Sequence, residues 1–328
     1  MKATGGKLIL LGVFWLAVVI VAPLVGEVTI NWRALLEPGS TDYVIFWHLR
    51  LPRVLLALAA GGALAVSGLA FQTLFRNPLA EPYTLGVASG AALGAVTAME
   101  LGAGVGWLGL SLVGGASFVG AAAVALLILG LASRSRFNTA TLLLAGIAMS
   151  LTCSALILFM QYQADFTESF RMVRWMMGGL AVVGYREVLW LAPWVIVGVG
   201  VLLGLRWDLN LLLTGEELAA SRGVDLSRVR WRVLAAASAM VGALVPVVGP
   251  IGFVGLIVPH VLRRWLGHDH LVLVPACVLG GGAFLALCDL IGRLLIAPAE
   301  LPVGVVTALL GGPFFLWLLL SRRRNSQG

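Results

Sequence analysis

Two arginines stand three apart in Leu49-Arg50-Leu51-Pro52-Arg53, and a carboxylate and a third arginine, Asp289 and Arg293, lie one helical turn apart in an apolar run. A charge held at mid-depth in lipid costs about 2.5–3.5 kcal/mol, so Arg50 and Arg53 must face water or a partner. Asp289 is expected to form a structural ion pair with Arg293 near a membrane surface. The alternative for Asp289 is a proton relay, the device of an ion-coupled carrier, which favours carboxylates in mid-span. Most other acids fall in polar stretches or at the ends of apolar ones. His268-Asp269-His270 offers metal-ligand chemistry, but two histidines two residues apart beside Arg263 and Arg264 do not close a site. A solvated loop is expected there, no metal is expected in the chain, and His260 reads as a hydrogen-bonded structural residue. Cys153, Cys277 and Cys288 lack CxxC spacing and read as packing residues. No Ser/His/Asp constellation stands out. The only Gly-Lys is Gly6-Lys7, followed by Leu8, so the phosphate-cradling Gly-Lys-Ser/Thr loop is missing. The chain is not expected to be an enzyme, and any ATP that drives it is hydrolysed by another chain.

The elements that position these residues are apolar runs. Of 328 residues, 60% are hydrophobic and 11% charged, with a mean hydropathy of +1.01. Soluble domains carry about 25% charged residues, so this chain has too little polar surface to cover a water-exposed exterior. About 20 apolar residues cross the bilayer core. Spans are expected near 8–26, 53–73, 84–101, 112–132, 141–161, 188–205, 232–249, 251–266, 272–292 and 303–320, ten in all. The first is too long for a signal-peptide core, and no Ala-x-Ala site follows it. Residues 169–180 read as a short surface helix. With the N-terminus inside, 15 of the 22 Lys plus Arg fall on the inner side. This is the asymmetry of the positive-inside rule, and with an even number of spans it puts both termini in the cytoplasm. It also explains the net charge of +7 without nucleic acid. Gly86, Gly90 and Gly94 recur every four residues, as in helices that pack closely in lipid. No repeat or linker divides the chain, so residues 1–328 read as one domain.

Three more segments differ from generic membrane helix. Gln72 to Pro82 (QTLFRNPLAEP) carries two prolines and an Asn-Pro break, which end a helix in a rigid turn. Leu209 to Val224 (LNLLLTGEELAASRGV), within a polar segment at about 208–230, has Gly215 and Gly223 bracketing two turns of helix. Such a helix, lying along the membrane, suits docking into a partner's groove. Gly249 to His260 (GPIGFVGLIVPH) precedes Arg263 and Arg264, and Glu300-Leu301-Pro302-Val303-Gly304 follows Arg293.

Together with Leu142–Gly146 (LLLAG) and Arg174–Gly179 (RWMMGG), these segments resemble, in order from about residue 45 to 320, the FecCD-type permeases of ABC importers. Those permeases import iron–siderophores, haem and cobalamin. The resemblance implies an all-α membrane fold of about ten helices, the type II ABC importer permease fold. It implies as partners a second copy of this chain, two copies of an ABC ATPase that bind ATP and Mg, and a periplasmic binding protein. Arg50, Arg53 and Arg293 match the arginines that receive acids of the binding protein. Replacing Arg53 with Glu is therefore expected to weaken docking while insertion stays normal. Gly215, Glu216, Glu217, Ala219, Ala220, Arg222 and Gly223 match the helix that docks on the ATPase, and Asn138, Thr139, Ala140 and Thr141 match the cytoplasmic gate. Thr214 and Arg222 depart from the family's usual leucines, which implies a more polar contact or a rotated helix. The alternative function is an ion-coupled secondary transporter, which needs no ATPase.

Overall fold

The computed structural model describes residues 2–26, 28, 31, 33–102, 112–134, 139–181 and 184–325. Its regular elements are helices: α1 (Lys2–Val21), α2 (Thr41–Val44), α3 (Leu51–Leu74), α4 (Val87–Glu100), α5 (Leu112–Arg134), α6 (Thr139–Gln163) and α7 (Phe166–Met176). They continue with α8 (Arg186–Gly204), α9 (Arg206–Thr214), α10 (Glu216–Ser221), α11 (Leu226–Val248), α12 (Val254–Leu266), α13 (His270–Leu295) and α14 (Val303–Asn325).

Each of the ten expected spans has its helix: α1, α3, α4, α5, α6, α8, α11, α12, α13 and α14. Among the described residues, six helical segments are long and apolar enough to cross a bilayer. One of them is a continuous stretch from Thr41 to Leu74, in which a π-helical turn at Ile45–Arg50 joins α2 to α3. That span starts a dozen residues before the expected boundary, because the helix runs back through the apolar residues 43–47 to Ser40, whose side chain caps it by accepting the Tyr43 N–H. The expected surface helix is α7. Asp165 caps it by accepting the Glu168 N–H at 2.7 Å.

The helix α4 has 14 residues and α12 has 13. At 1.5 Å per residue they are about 21 and 20 Å long, short of the ~30 Å core. The irregular segments before them supply the missing depth. Gly255, near the start of α12, packs against Gly68, which lies well inside α3, and Pro82 packs on the same glycine. Both connections therefore re-enter the bundle, which is tolerated where protein, not lipid, surrounds the backbone. The turn into α12 is tight: Phe253 takes a left-handed conformation (φ 69°), uncommon for a bulky residue.

The centre of the bundle is the pair α3–α13. A Cβ on Gly61 would fall inside the carbonyl of Gly281, one on Gly281 would meet that of Gly61, and one on Gly282 would meet Leu58. The two backbones touch through these glycines, the close approach that small residues permit in lipid. Twenty of the 24 residues of α3 are buried, so α3 is enclosed by protein on all sides. By contrast α6 leaves Leu144, Leu151, Leu158 and Phe159 exposed, and α14 leaves Leu309, Leu316 and Trp317 exposed.

Candidate functional site

The N-terminal end of α3 and the C-terminal end of α13 meet at one rim of the bundle, and their charged residues meet with them. Arg53 lies flat against Asp289, with Nη2 donating to Oδ1 at 2.8 Å and Nε to Oδ2 at 3.0 Å. Its remaining nitrogen, Nη1, donates to Glu300 Oε2 at 2.9 Å. This is the forked, two-bond pairing that a guanidinium favours. Asp289 is 3% exposed, and the Nε of Arg293 lies 3.1 Å from its Oδ2. That contact is close but poorly aligned for a hydrogen bond, and among the described residues Arg293 Nε and Nη2 have no acceptor. Arg50 is turned the other way. It donates to the carbonyls of Leu24 (3.3 Å) and Val28 (2.6 Å), tying the segment after α1 to the rim.

Asp289 pairs with Arg293 as its i, i+4 spacing predicts, and also with Arg53, 236 residues away. A carboxylate held by two guanidiniums serves as their fixed counter-ion. The three rim arginines therefore do not stand free: Arg50 and Arg293 are each 8% exposed and Arg53 is engaged by two acids. Arg53→Glu would set a third carboxylate against Asp289 and Glu300, so packing of the rim would suffer together with any docking. The acid with open access is Glu300, whose side chain is 49% exposed.

At the opposite end, α9 and α10 form a separate polar step between α8 and α11. Gly215 breaks them apart with φ 123°, and Gly223 ends the step with φ 87°, conformations that L side chains rarely adopt. Glu216 is ion-paired with the buried Arg230 of α11, which holds α10 down. Ala219 is fully buried, so it seats α10 and does not lie on its outer face. Glu217, Leu218, Ala220, Arg222 and Gly223 are exposed, while Gly215 and Glu216 are half-buried. Leu218, 43% exposed, is the apolar group of that face, and the sequence reading passed over it. A leucine between charges carries no signal of its direction until the seat of Ala219 is known. Thr139, Ala140 and Thr141 open α6, with Ala140 and Thr141 exposed; Asn138 lies outside the described residues.

Of the polar loop before α13, His268 and Asp269 are solvated as expected. His270 is a correction: it is 1% exposed. It is the first residue of α13, and the helix turns its ring inward under α3. Among the described residues no cluster of three or more His, Cys, Asp or Glu could hold a metal ion.

The sequence model of the FecCD transport family matches residues 11–321. The Vitamin B12 import system permease protein BtuC of Shigella boydii is 40% identical over 324 residues, covering 97% of this chain and 95% of the relative. The Hemin transport system permease protein HmuU of Yersinia pestis is 41% identical over 313 residues, 92% of each chain. Among solved structures, one assigned to the metal-chelate type of ABC transporter, in an inward-facing conformation, superposes with a TM-score of 0.86. It is 30% identical, over 98% of this chain and 99% of that one.

Proposed function

Because the chain belongs to the FecCD transport family, we propose that it is the membrane permease of an ATP-driven importer for an iron–siderophore, cobalamin or haem. The match along residues 11–321 carries this reading. The near-equal identity to a vitamin B12 permease and a hemin permease supports the ligand class without separating its members.

Two copies assemble through the exposed apolar faces of α6 and α14, with the first turn of α6 as the gate. Two copies of an ABC ATPase, which bind ATP and Mg, meet α10 at Glu217, Leu218, Ala220 and Arg222. The whole chain acts as one permease domain in the bacterial inner membrane, with both termini and α10 in the cytoplasm. The arginine rim faces the periplasm and receives acids of the binding protein. The exposed Glu300 on Arg53 supports this role, and a docking carboxylate replaces it there. Contacts of this kind steer and orient a partner and weaken with salt.

The test is reconstitution. The purified chain alone should hydrolyse no ATP. With its cognate ATPase it should form a two-plus-two complex that, in proteoliposomes with binding protein, takes up one of the three ligand classes. Uptake driven by an ion gradient without ATP, or hydrolysis by this chain alone, would remove the reading.

A further inference from the structure

Arg53 and Asp289 close the α3–α13 seam at one end; His270 closes it at the other. The Nε2 of His270 lies 2.9 Å from Thr73 Oγ1, one residue before the end of α3. Its Nδ1 lies 2.6 Å from Asn210 Oδ1, on α9. The same oxygen accepts the backbone N–H of His270 at 3.0 Å, and Asn210 Nδ2 donates to Asp269 Oδ1 at 2.9 Å. An atom that accepts a backbone N–H is the amide oxygen, so Nδ1 of the neutral ring carries a proton, and the Thr73 hydroxyl lies 2.9 Å from both Nε2 and the Leu69 carbonyl, between which its one proton is shared. One buried imidazole therefore bridges α3, α9 and α13.

The step formed by α9 and α10 is held by polar tethers of two kinds. Glu216 ties α10 to α11 through Arg230. Asn210 ties α9 to His270, and through it to the glycine-packed pair. Since α3 and α13 meet backbone to backbone, the pair has no soft side-chain layer in which to slide. From His270 to Arg293 is 23 residues, about 35 Å of helix, from the α9–α10 step to the arginine rim.

We propose that His270 is a positioning residue that fixes the α9–α10 step to the α3–α13 pair, so that a partner moving α10 moves both helices together and thereby the arginine rim. This rests on the importer reading above. Asn210 also reaches the start of α13 through Asp269 and the His270 backbone N–H, but among the described residues the His270 ring is the polar side chain that bonds α9 and α3 at once.

The test uses the full complex with ATPase and binding protein in proteoliposomes, and reads ligand moved per ATP hydrolysed and the change in binding-protein affinity between nucleotide states. Thr73→Val keeps the shape and removes the hydroxyl; Thr73→Ser keeps the hydroxyl. Thr73→Val should assemble and hydrolyse ATP but move about tenfold less ligand per ATP, with a similar fall in the nucleotide effect on affinity. Thr73→Ser should stay near the wild-type values. Asn210→Ala, at a half-buried position, should give the Thr73→Val result independently, and the double variant should be no worse than either single. Wild-type stoichiometry in Thr73→Val and Asn210→Ala, an equal loss in Thr73→Ser, or additive losses would each overturn the proposal. Failure of the wild-type chain to assemble with an ABC ATPase would instead overturn the importer reading, before any variant is compared.

Discussion

Asp289→Asn is the most informative single change at the arginine rim. In the wild type, three arginines (Arg50, Arg53, Arg293) face two acids (Asp289, Glu300), a local charge of +1; the variant raises it to +2. Asp289 is 3% exposed and its partners 14% and 7%, so water does little to screen the loss. Removing one partner of a buried pair costs about 3–5 kcal/mol. The asparagine oxygen still accepts one N–H from Arg53, which points to the lower end, about 3 kcal/mol. Glu300→Gln removes a charge from a half-exposed group and should cost no more than about 1 kcal/mol. Thermal melting of the purified protein at one fixed scan rate should show a drop of about 4 °C for Asp289→Asn and about 1.5 °C or less for Glu300→Gln. Binding-protein affinity should move in the opposite order. Glu300→Gln frees Arg53 and should tighten docking severalfold at low salt, with the gain fading as salt rises. Equal melting temperatures for the two variants would refute the assignment of Asp289 as the buried counter-ion of the rim. Weaker docking by Glu300→Gln would refute the exchange of carboxylates on Arg53.

Gly281→Val, which drives a side chain into the carbonyl of Gly61, should abolish recovery of monodisperse protein; Gly312→Ala, with open space at its Cβ, should leave recovery unchanged. Ala219→Leu should insert normally yet uncouple ATP hydrolysis from uptake, because the added volume lifts α10 off its buried seat. Ala220→Leu, on the exposed face, should alter ATPase affinity with coupling intact, as titration of the ATPase onto the two variants would show. Single cysteines at Thr139 or Thr141 should cross-link between the two copies in one nucleotide state only, and state-independent cross-linking would argue against a gate there.

The helices were legible in the sequence because lipid imposes one simple demand, about 20 apolar residues per crossing. The demand fails for α4, which is apolar but short, and for α12, which is short and ends in Arg263 and Arg264. Their depth is set by Gly68, Pro82 and Gly255 meeting across the bundle, and hydropathy does not record such contacts. The Asp289–Arg293 pair was legible from its i, i+4 spacing. The Glu300–Arg53 bond was not, since 247 residues separate its ends. His270 shows the same limit: flanked by His268 and Asp269 it reads as loop, and only the placement of Thr73 and Asn210 turns it inward. The rim arginines were placed at a surface by the cost of charge in lipid, but their partners had to come from the fold.

The 236 residues between Arg53 and Asp289 also set a timetable for biogenesis. A ribosome adding roughly 5–20 residues per second takes about 12–47 s to cover that interval. Through it, α3 resides in the bilayer with Arg50 and Arg53 but without Asp289, and with Gly61 facing no partner backbone. Its arginines must reach for headgroups and water until α13 arrives. The most enclosed helix of the finished protein is thus among the most exposed during synthesis. Nascent chains interrupted before residue 289 should accordingly be good substrates for membrane proteases, whatever their sequence beyond α3.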